Sequence, residues 1–402
     1  MTDDSQQSIK IKVRNLSKVF GAQPKRALEM RNSGMKRPEI FEKTGQTLGL
    51  SNINFDVYEG ELLVIMGLSG SGKSTLIRCL NRLIEPTEGE IIIDGQDITK
   101  LSDKELLDAR RRYYSMVFQN FALFPHRTVQ QNAEFGLEVR GTSRSERSET
   151  ARTALEQVGL KGWEDAYPHQ LSGGMQQRVG LARALANDAS VLLMDEAFSA
   201  LDPLIRKDMQ EELQELQYHT QKTTIFITHD LDEALNIGDR IILLKDGEIV
   251  QQGTPEQILT KPADDYVARF IEGVDKSRVL TASNAMRPVR MTARESDGPR
   301  TMLHKMSEAG IDSIYVTSRD RRLLGLVEAA DADEAVKAKK DSARELIDPD
   351  VPTVGPDEPL SSLFGMFSER SVPIAVADES GRLLGVVVKG AVLDELAKAG
   401  DS

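Results

Sequence analysis

Cysteine occurs once among 402 residues, at Cys79, so the chain has no internal disulfide framework and suits a reducing compartment. Long apolar runs are missing too. Stretches such as LLVIM at 62–66 fall far short of the ~18 residues needed to cross a bilayer, so any membrane role is expected to pass through a partner. The N-terminus, MTDDSQQS, is acidic and polar and is read as carrying no secretory signal. A positive surplus is absent as well. The net charge is −12, of which residues 279–402 hold −5 (21 acidic, 16 basic) and the rest −7. Diffuse acidity argues against a nucleic-acid binder, which needs a basic face, and is read as solubility. What is present is ordinary for a globular protein: 40% apolar and 28% charged residues, in a chain long enough for two or three domains.

Residues 9–20 and 51–66 read as strands, separated by a polar, Lys/Arg-containing stretch at 21–50. GEIIID (89–94), SMVF (115–118), VLLMDE (191–196), TTIFITH (223–229) and RIILLKDG (240–247) have strand length, and 128–188 is mostly helical in pattern. Buried strands alternating with helices imply an α/β fold with a mainly parallel sheet. After residue 273 the chain resembles itself at a shift of 60 residues: 311–331 lies over 371–391, with Ile314/Ile374, Val316/Val376, RLLG at 322–325 and 382–385, and Val327/Val387 coinciding. The preceding helical segments match at Leu303/Leu363 and Met306/Met366. Each unit reads as helix, strand, turn, strand, helix, too small to bury its face alone, so a paired module is expected.

The first chemical motif is Gly67–Ser74, G-x-x-x-x-G-K-S, between a predicted strand and a helix predicted over STLIRCLNRLI, ending before EPTEG. Gly67, Gly70 and Gly72 let the backbone wrap a phosphate chain closely, with Leu68, Ser69 and Ser71 supplying further N–H groups. Lys73 brings a charge to the β- and γ-phosphates, the Ser74 hydroxyl can ligate Mg²⁺, and Thr75 follows as a further ATP-binding residue. VLLMDE sets Asp195 at the carboxyl end of a buried strand, where it would hold Mg²⁺ through water. Glu196 follows, a carboxylate able to orient and deprotonate an attacking water. LSGGMQQR (171–178) opens a second helix with Ser172, Gly173 and Gly174, a second anion-favouring end.

With Gln119 after SMVF, SALD at 199–202 and His229 after TTIFIT, the series resembles the ATPase subunits of ATP-binding cassette (ABC) transporters over about residues 9–270. That resemblance implies ATP and Mg²⁺ as cofactors, with Gln119 joining Ser74 and Asp195 at the metal. It makes Glu196, His229 and Lys73 catalytic, His229 contacting the γ-phosphate and positioning Glu196. Phe20, in KVFG, falls where the family stacks an aromatic on adenine. The signature residues Ser172, Gly173 and Gly174 would serve the site of a second copy, packed head to tail, with Asp202 in the D-loop between them. QNFALFPHRTV (119–129), with Phe121, Leu123, Phe124 and Pro125, suits a groove receiving a helix of a membrane permease.

The insert ending KTGQTLGL, together with GLSGSGKSTLIRCLNRLIEPTEG, DEAFSALDPLIR and THDLDEAL, resembles more closely the glycine betaine/proline (quaternary-amine) importers. The C-terminal pair resembles cystathionine-β-synthase (CBS) repeats, which implies a module that regulates the ATPase. The implied domains are an ATP-binding domain at 1–272, a linker at 273–281 and CBS repeats at 282–340 and 341–402. The implied function is osmoprotectant import on the cytoplasmic face of the inner membrane, as a peripheral homodimer working with a permease and, indirectly, a periplasmic or external solute-binding protein. An importer of another small polar solute and a soluble, non-transport ABC ATPase are the alternatives. Nucleotide-binding CBS repeats often carry Gly-x-hydrophobic-Ser/Thr-x-x-Asp. Here the first repeat gives Gly325, Glu328 and Asp331, and the second Gly385, Val388 and Ala391, which speaks against an adenine mononucleotide and leaves a cyclic dinucleotide at a dimer interface open. Lys337, Lys339 and Lys340 form a basic cluster whose attraction to anionic lipid would weaken with salt.

Overall fold

The computed structural model describes residues 8–398 apart from Asn120, Gly273 and Ser371. The ends of the two outer domain spans, and Gly273 at the head of the expected linker, lie outside the described residues. The chain parts into two compact units between Ile271 and Glu272.

Among the described residues ten strands build the first unit: β1 (Ile9–Phe20), β2 (Thr47–Tyr58), β3 (Leu62–Met66), β4 (Glu88–Ile93), β5 (Gln96–Asp97), β6 (Tyr114–Phe118), β7 (Val191–Asp195), β8 (Thr223–Thr228), β9 (Arg240–Lys245) and β10 (Glu248–Gly253). Six form a sheet in the order β10-β9-β3-β8-β7-β6, parallel except for β10. Every residue of β3, β7 and β8 is buried, as continuous Leu/Ile/Val-rich runs require when both faces of a parallel sheet are covered. The other four strands form an antiparallel sheet, β2-β1-β4-β5. From Ile53 to Tyr58, β2 alternates buried and half-buried residues, one face turned to the core. That core joins Ile11, Val13 and Leu50 from one sheet to Ile65, Val191 and Ile225 from the other, with Leu76 and Ile77 between them. Helices such as Arg144–Gln157 and Gly173–Ala186 fill the stretch between β6 and β7.

Three details depart from the sequence reading. Residues 51–66 are not one strand: the chain turns at Glu59–Gly60, where Gly60 takes φ +76°, and this separates the antiparallel sheet from the parallel one. The polar stretch at 21–50 holds two helices, Pro24–Asn32 and Arg37–Thr44, each with a proline in its first turn. They close a small core of Val19, Ala27, Leu28, Ile40 and Leu48. Arg31 ties them down, donating to Ser17 Oγ at 2.6 Å and to Glu88 at 2.8 Å. Finally, the helix after the glycine loop ends at Leu80, short of the apolar pattern, and Arg82 turns the chain at φ +53°.

In the second unit β11 (Thr292–Arg294), β12 (Ser313–Thr317) and β13 (Leu323–Glu328) form one three-stranded sheet, and β14 (Thr353–Val354), β15 (Ile374–Ala377) and β16 (Leu383–Val387) form another. The 60-residue shift is a register identity: Ile314 pairs with Val327 as Ile374 pairs with Val387, and a bulge follows Val316 as one follows Val376. One strand earlier the spacing is 61, since Ala293 lies beside Val316 and Val354 beside Val376.

The repeats also exchange segments. Arg287, ahead of the first repeat's strands, bridges to Val386 in β16, and Asp348, ahead of the second repeat's strands, bridges to Leu326 in β13. Leu280, Ala282 and Ala285 therefore belong to the second repeat's core, while Ala343, Leu346 and Ile347 pack in the first. Part of the expected linker is thus interior: Leu280 is fully buried. The doubled glycine of RLLG has a physical reason here. A Cβ at Gly325 would lie 2.3 Å from the Asp348 carbonyl oxygen, and one at Gly385 would lie 2.3 Å from Met286 Cγ and 2.9 Å from the Arg287 carbonyl oxygen. Only glycine admits the crossing segment.

Candidate functional site

Parallel pairing delivers the site. Met66 lies beside Thr228, Phe118 beside Asp195 and Asp195 beside Ile227, so the carboxyl ends of β3, β6, β7 and β8 finish together. The loops that follow them carry Gly67–Gly72, Gln119, Glu196 and His229 to one edge, where α/β sheets hold ligands.

The loop after β3 needs its glycines. Gly67, Gly70 and Gly72 take φ of +149°, +80° and +110°. A Cβ at Gly67 would stand 2.2 Å from the Leu244 carbonyl oxygen, and one at Gly72 would stand 2.8 Å from that of Gly49. Inside the loop Lys73 is 5% exposed. Its ammonium donates to the carbonyls of Gly67 at 2.7 Å and Leu68 at 3.3 Å and lies 3.9 Å from Glu196 Oε1. Burial pulls this ammonium below its ordinary range, against the opposing pull of Glu196 and Asp195. The Ser71 hydroxyl is buried with no hydrogen-bond partner among the described residues. Ser74 Oγ donates to Asp195 Oδ1 at 3.1 Å, and Arg78 stands 3.5 Å from Asp195 Oδ2. Burial pushes the Asp195 carboxyl up, opposed by Ser74 and Arg78.

Glu196 turns out of β7 with φ +48°, its N–H donating to the Ile227 carbonyl at 3.0 Å. Its Oε2 lies 3.4 Å from His229 Nδ1 and accepts from Gln119 Nε2 at 3.4 Å. Gln119 also reaches Ser199 Oγ at 3.2 Å, and none of its bonds runs to Ser74 or Asp195. These contacts make one connected chain from Lys73 through Glu196 to His229, Gln119 and Ser199.

A cavity of about 340 Å³ opens beside it, lined by Phe20, Thr47, Gly49, Ser69, Gly70, Gly72, Lys73, Ser74, Thr75 and Glu196, with Arg37 from the inserted helix. Phe20 is 41% exposed, and its ring lies where a Gly49 Cβ would be 2.8 Å away. Leu68, 57% exposed, stands outside this lining. Arg37, Thr47, Gly49, Arg78 and Ser199 were not singled out from the sequence. Thr47 and Gly49 lie inside KTGQTLGL, Arg78 inside GLSGSGKSTLIRCLNRLIEPTEG and Ser199 inside SALD.

Ser172, Gly173 and Gly174 do not line this cavity, nor does Asp202. Ser172 caps the helix Gly173–Ala186, accepting from Met175 N at 3.3 Å, and it and Gly173 are exposed. Asp202 caps Pro203–Thr220 through Ile205 N at 3.1 Å. The two caps are packed together, because a Cβ at Gly174 would lie 2.6 Å from Ile205 Cγ2.

Between β6 and the helical segment, Asn132 is fully buried and holds the loop, accepting from Phe124 N at 2.7 Å and donating to the carbonyls of Phe124, Arg127 and Thr128. Phe124 packs against Phe135 with ring centroids 4.5 Å apart, Phe121 and Leu123 are half-buried and Pro125 is exposed. In the second unit Glu328 and Asp331 are exposed, Val388 is half-buried and Ala391 buried. Of the basic cluster, Lys337 pairs with Asp333 at 2.6 Å and Lys340 with Glu345 at 3.0 Å, so two of its three charges are locally neutralised.

A glycine loop between a buried strand and a helix, closed by a strand-end Asp-Glu pair, defines a P-loop nucleoside-triphosphatase. The family model for ABC transporters matches residues 50–199, and that for CBS domains matches 343–398. The chain is 53% identical over 388 residues to the glycine betaine/carnitine transport ATP-binding protein GbuA of Listeria monocytogenes, covering 96% of this chain and 98% of that one. It is 54% identical to the glycine betaine transport ATP-binding protein OpuAA of Bacillus subtilis, over 97% of this chain and 93% of the relative. Among solved structures, an ATP-binding cassette in a dimeric post-hydrolysis state bound to ADP and Pi matches with a TM-score of 0.52 at 35% identity, over 61% of this chain and 98% of that one. The chain belongs to the ATP-binding subunits of ABC transporters, as its motifs implied, and carries the nucleotide-binding α/β cassette with a CBS module. Among the described residues no helix is long and apolar enough to cross a membrane.

Proposed function

We propose that this chain is the ATP-hydrolysing motor of an importer for glycine betaine and related quaternary amines, seated as a peripheral subunit on a membrane permease and fed by a solute-binding protein. The observation that carries the reading is the convergence of Lys73, Glu196, Gln119 and His229 at one sheet edge. ATP would enter with its base at Phe20 and its phosphates in the loop from Gly67 to Gly72. Ser74 and Asp195 suit Mg²⁺: a hydroxyl and a single carboxylate, 3.1 Å apart, are hard oxygen donors that leave room for water and phosphate. Held by these two residues, Mg²⁺ would supply charge neutralisation for the terminal phosphates.

Glu196 orients a water and takes its proton as the water's oxygen bonds to the γ-phosphorus and the β–γ bridge breaks, giving ADP and phosphate. His229 holds the Glu196 carboxylate in line. Lys73 exchanges its loop carbonyls for phosphate oxygens, which gives a buried cation partners of opposite charge. Ser172 and Gly173 are exposed at a helix start, and we assign them, with Gly174, to the γ-phosphate held by a second copy, Asp202 lying at the same interface. The loop at 121–125 faces the permease. Reconstitution with the permease and binding protein tests the whole reading. ATP-dependent uptake of labelled glycine betaine that requires this chain supports it, and ATP turnover without uptake of any quaternary amine overturns the solute assignment.

A further inference from the structure

We infer that Arg37 is a further nucleotide-binding residue, supplied by the inserted helix and acting on the phosphate chain. The inference rests on the nucleotide site described above. Two cations line that cavity, Lys73 and Arg37. Lys73 is held inside the loop by two carbonyls, whereas among the described residues the Arg37 guanidinium has only a long contact, 3.8 Å, to Asp246, whose side chain is 73% exposed. So loose an ion pair in high dielectric is weak, and exchanging it for a polyphosphate costs little.

The location favours phosphate. Asp246 and Gly247, at φ +51° and +81°, form the turn between β9 and β10, and the Gly247 N–H donates to the Ser71 carbonyl at 2.8 Å. The turn is therefore stitched to the glycine loop, and Arg37 stands beside it. A guanidinium offers a planar fork matched to phosphate oxygens, which a lysine meets only as a point charge. The helix that carries it is anchored from behind by Ile40, fully buried in the insert's own core. The insert thus has a task at the site as well as a place in the fold.

The test is equilibrium binding to the full chain, by competition with a fluorescent ATP analogue, for ATP, ADP and adenosine. Arg37→Gln is expected to weaken ATP and ADP about tenfold and to leave adenosine unchanged. Arg37→Lys should recover only part of the loss, since it restores the charge without the fork. Asp246→Asn separates a contact to nucleotide from a structural ion pair: it should bind ATP at least as tightly as the parent chain. Unchanged ATP affinity in Arg37→Gln, an equal loss for adenosine, or a loss in Asp246→Asn matching that in Arg37→Gln would each overturn the assignment. A parent chain that binds no ATP would instead overturn the nucleotide reading itself.

Discussion

Glu196 carries a backbone conformation that non-glycine residues adopt only when their surroundings hold them there, φ +48°, secured by its N–H on the Ile227 carbonyl. That turn swings its carboxylate away from Asp195 and toward His229 and Gln119. Replacing Glu196 by Gln keeps shape and hydrogen bonds but removes the proton acceptor. Steady-state ATP turnover should fall by about 10²–10⁴ while ATP affinity measured by titration holds; turnover within a few-fold of the parent chain would take the base role from Glu196. Much of this was legible because each residue follows a strand of unmistakable apolar length, and strand ends in a parallel sheet gather. Thr47, Gly49 and Arg37 gave no such signal. They come to the cavity through an antiparallel pairing and an insert whose polar composition says nothing of direction.

At the level of elements, the duplicated hairpins were readable from Ile314/Ile374 and Val327/Val387, which repeat both apolar character and register. The exchange of flanking segments was not readable. It depends on Arg287 and Asp348, polar residues outside the matched stretch, and on a spacing that slips from 60 to 61. Two variants test it. Gly325→Val sets a side chain against the Asp348 carbonyl at a position with φ +151°, and should cost the second unit about 2 kcal/mol or more in calorimetry. Leu280→Ala should cost about 2–5 kcal/mol, the toll of a core deletion, where a true linker residue would show almost none. Neither should abolish ATP binding by the cassette.

For the molecule as a whole, the cavity lacks Ser172, Gly173 and Gly174, and our reading gives those residues to a twin. A two-fold pair has two such sites, each drawing its loop from one chain and its signature from the other. Chains with Lys73→Ala and chains with Ser172→Arg should therefore each be inactive alone. Mixed in equal amounts they should recover roughly a quarter of parent ATPase activity, since half of random pairs are mixed and each holds one intact site. No recovery on mixing would mean that each chain serves itself. The interlaced cores of the second unit have a consequence of their own, in time rather than in space. Leu280 leaves the ribosome about a hundred residues before Val392, its companion in the same apolar cluster. The nascent module must wait, its opening segment unhoused, until the second repeat has been read.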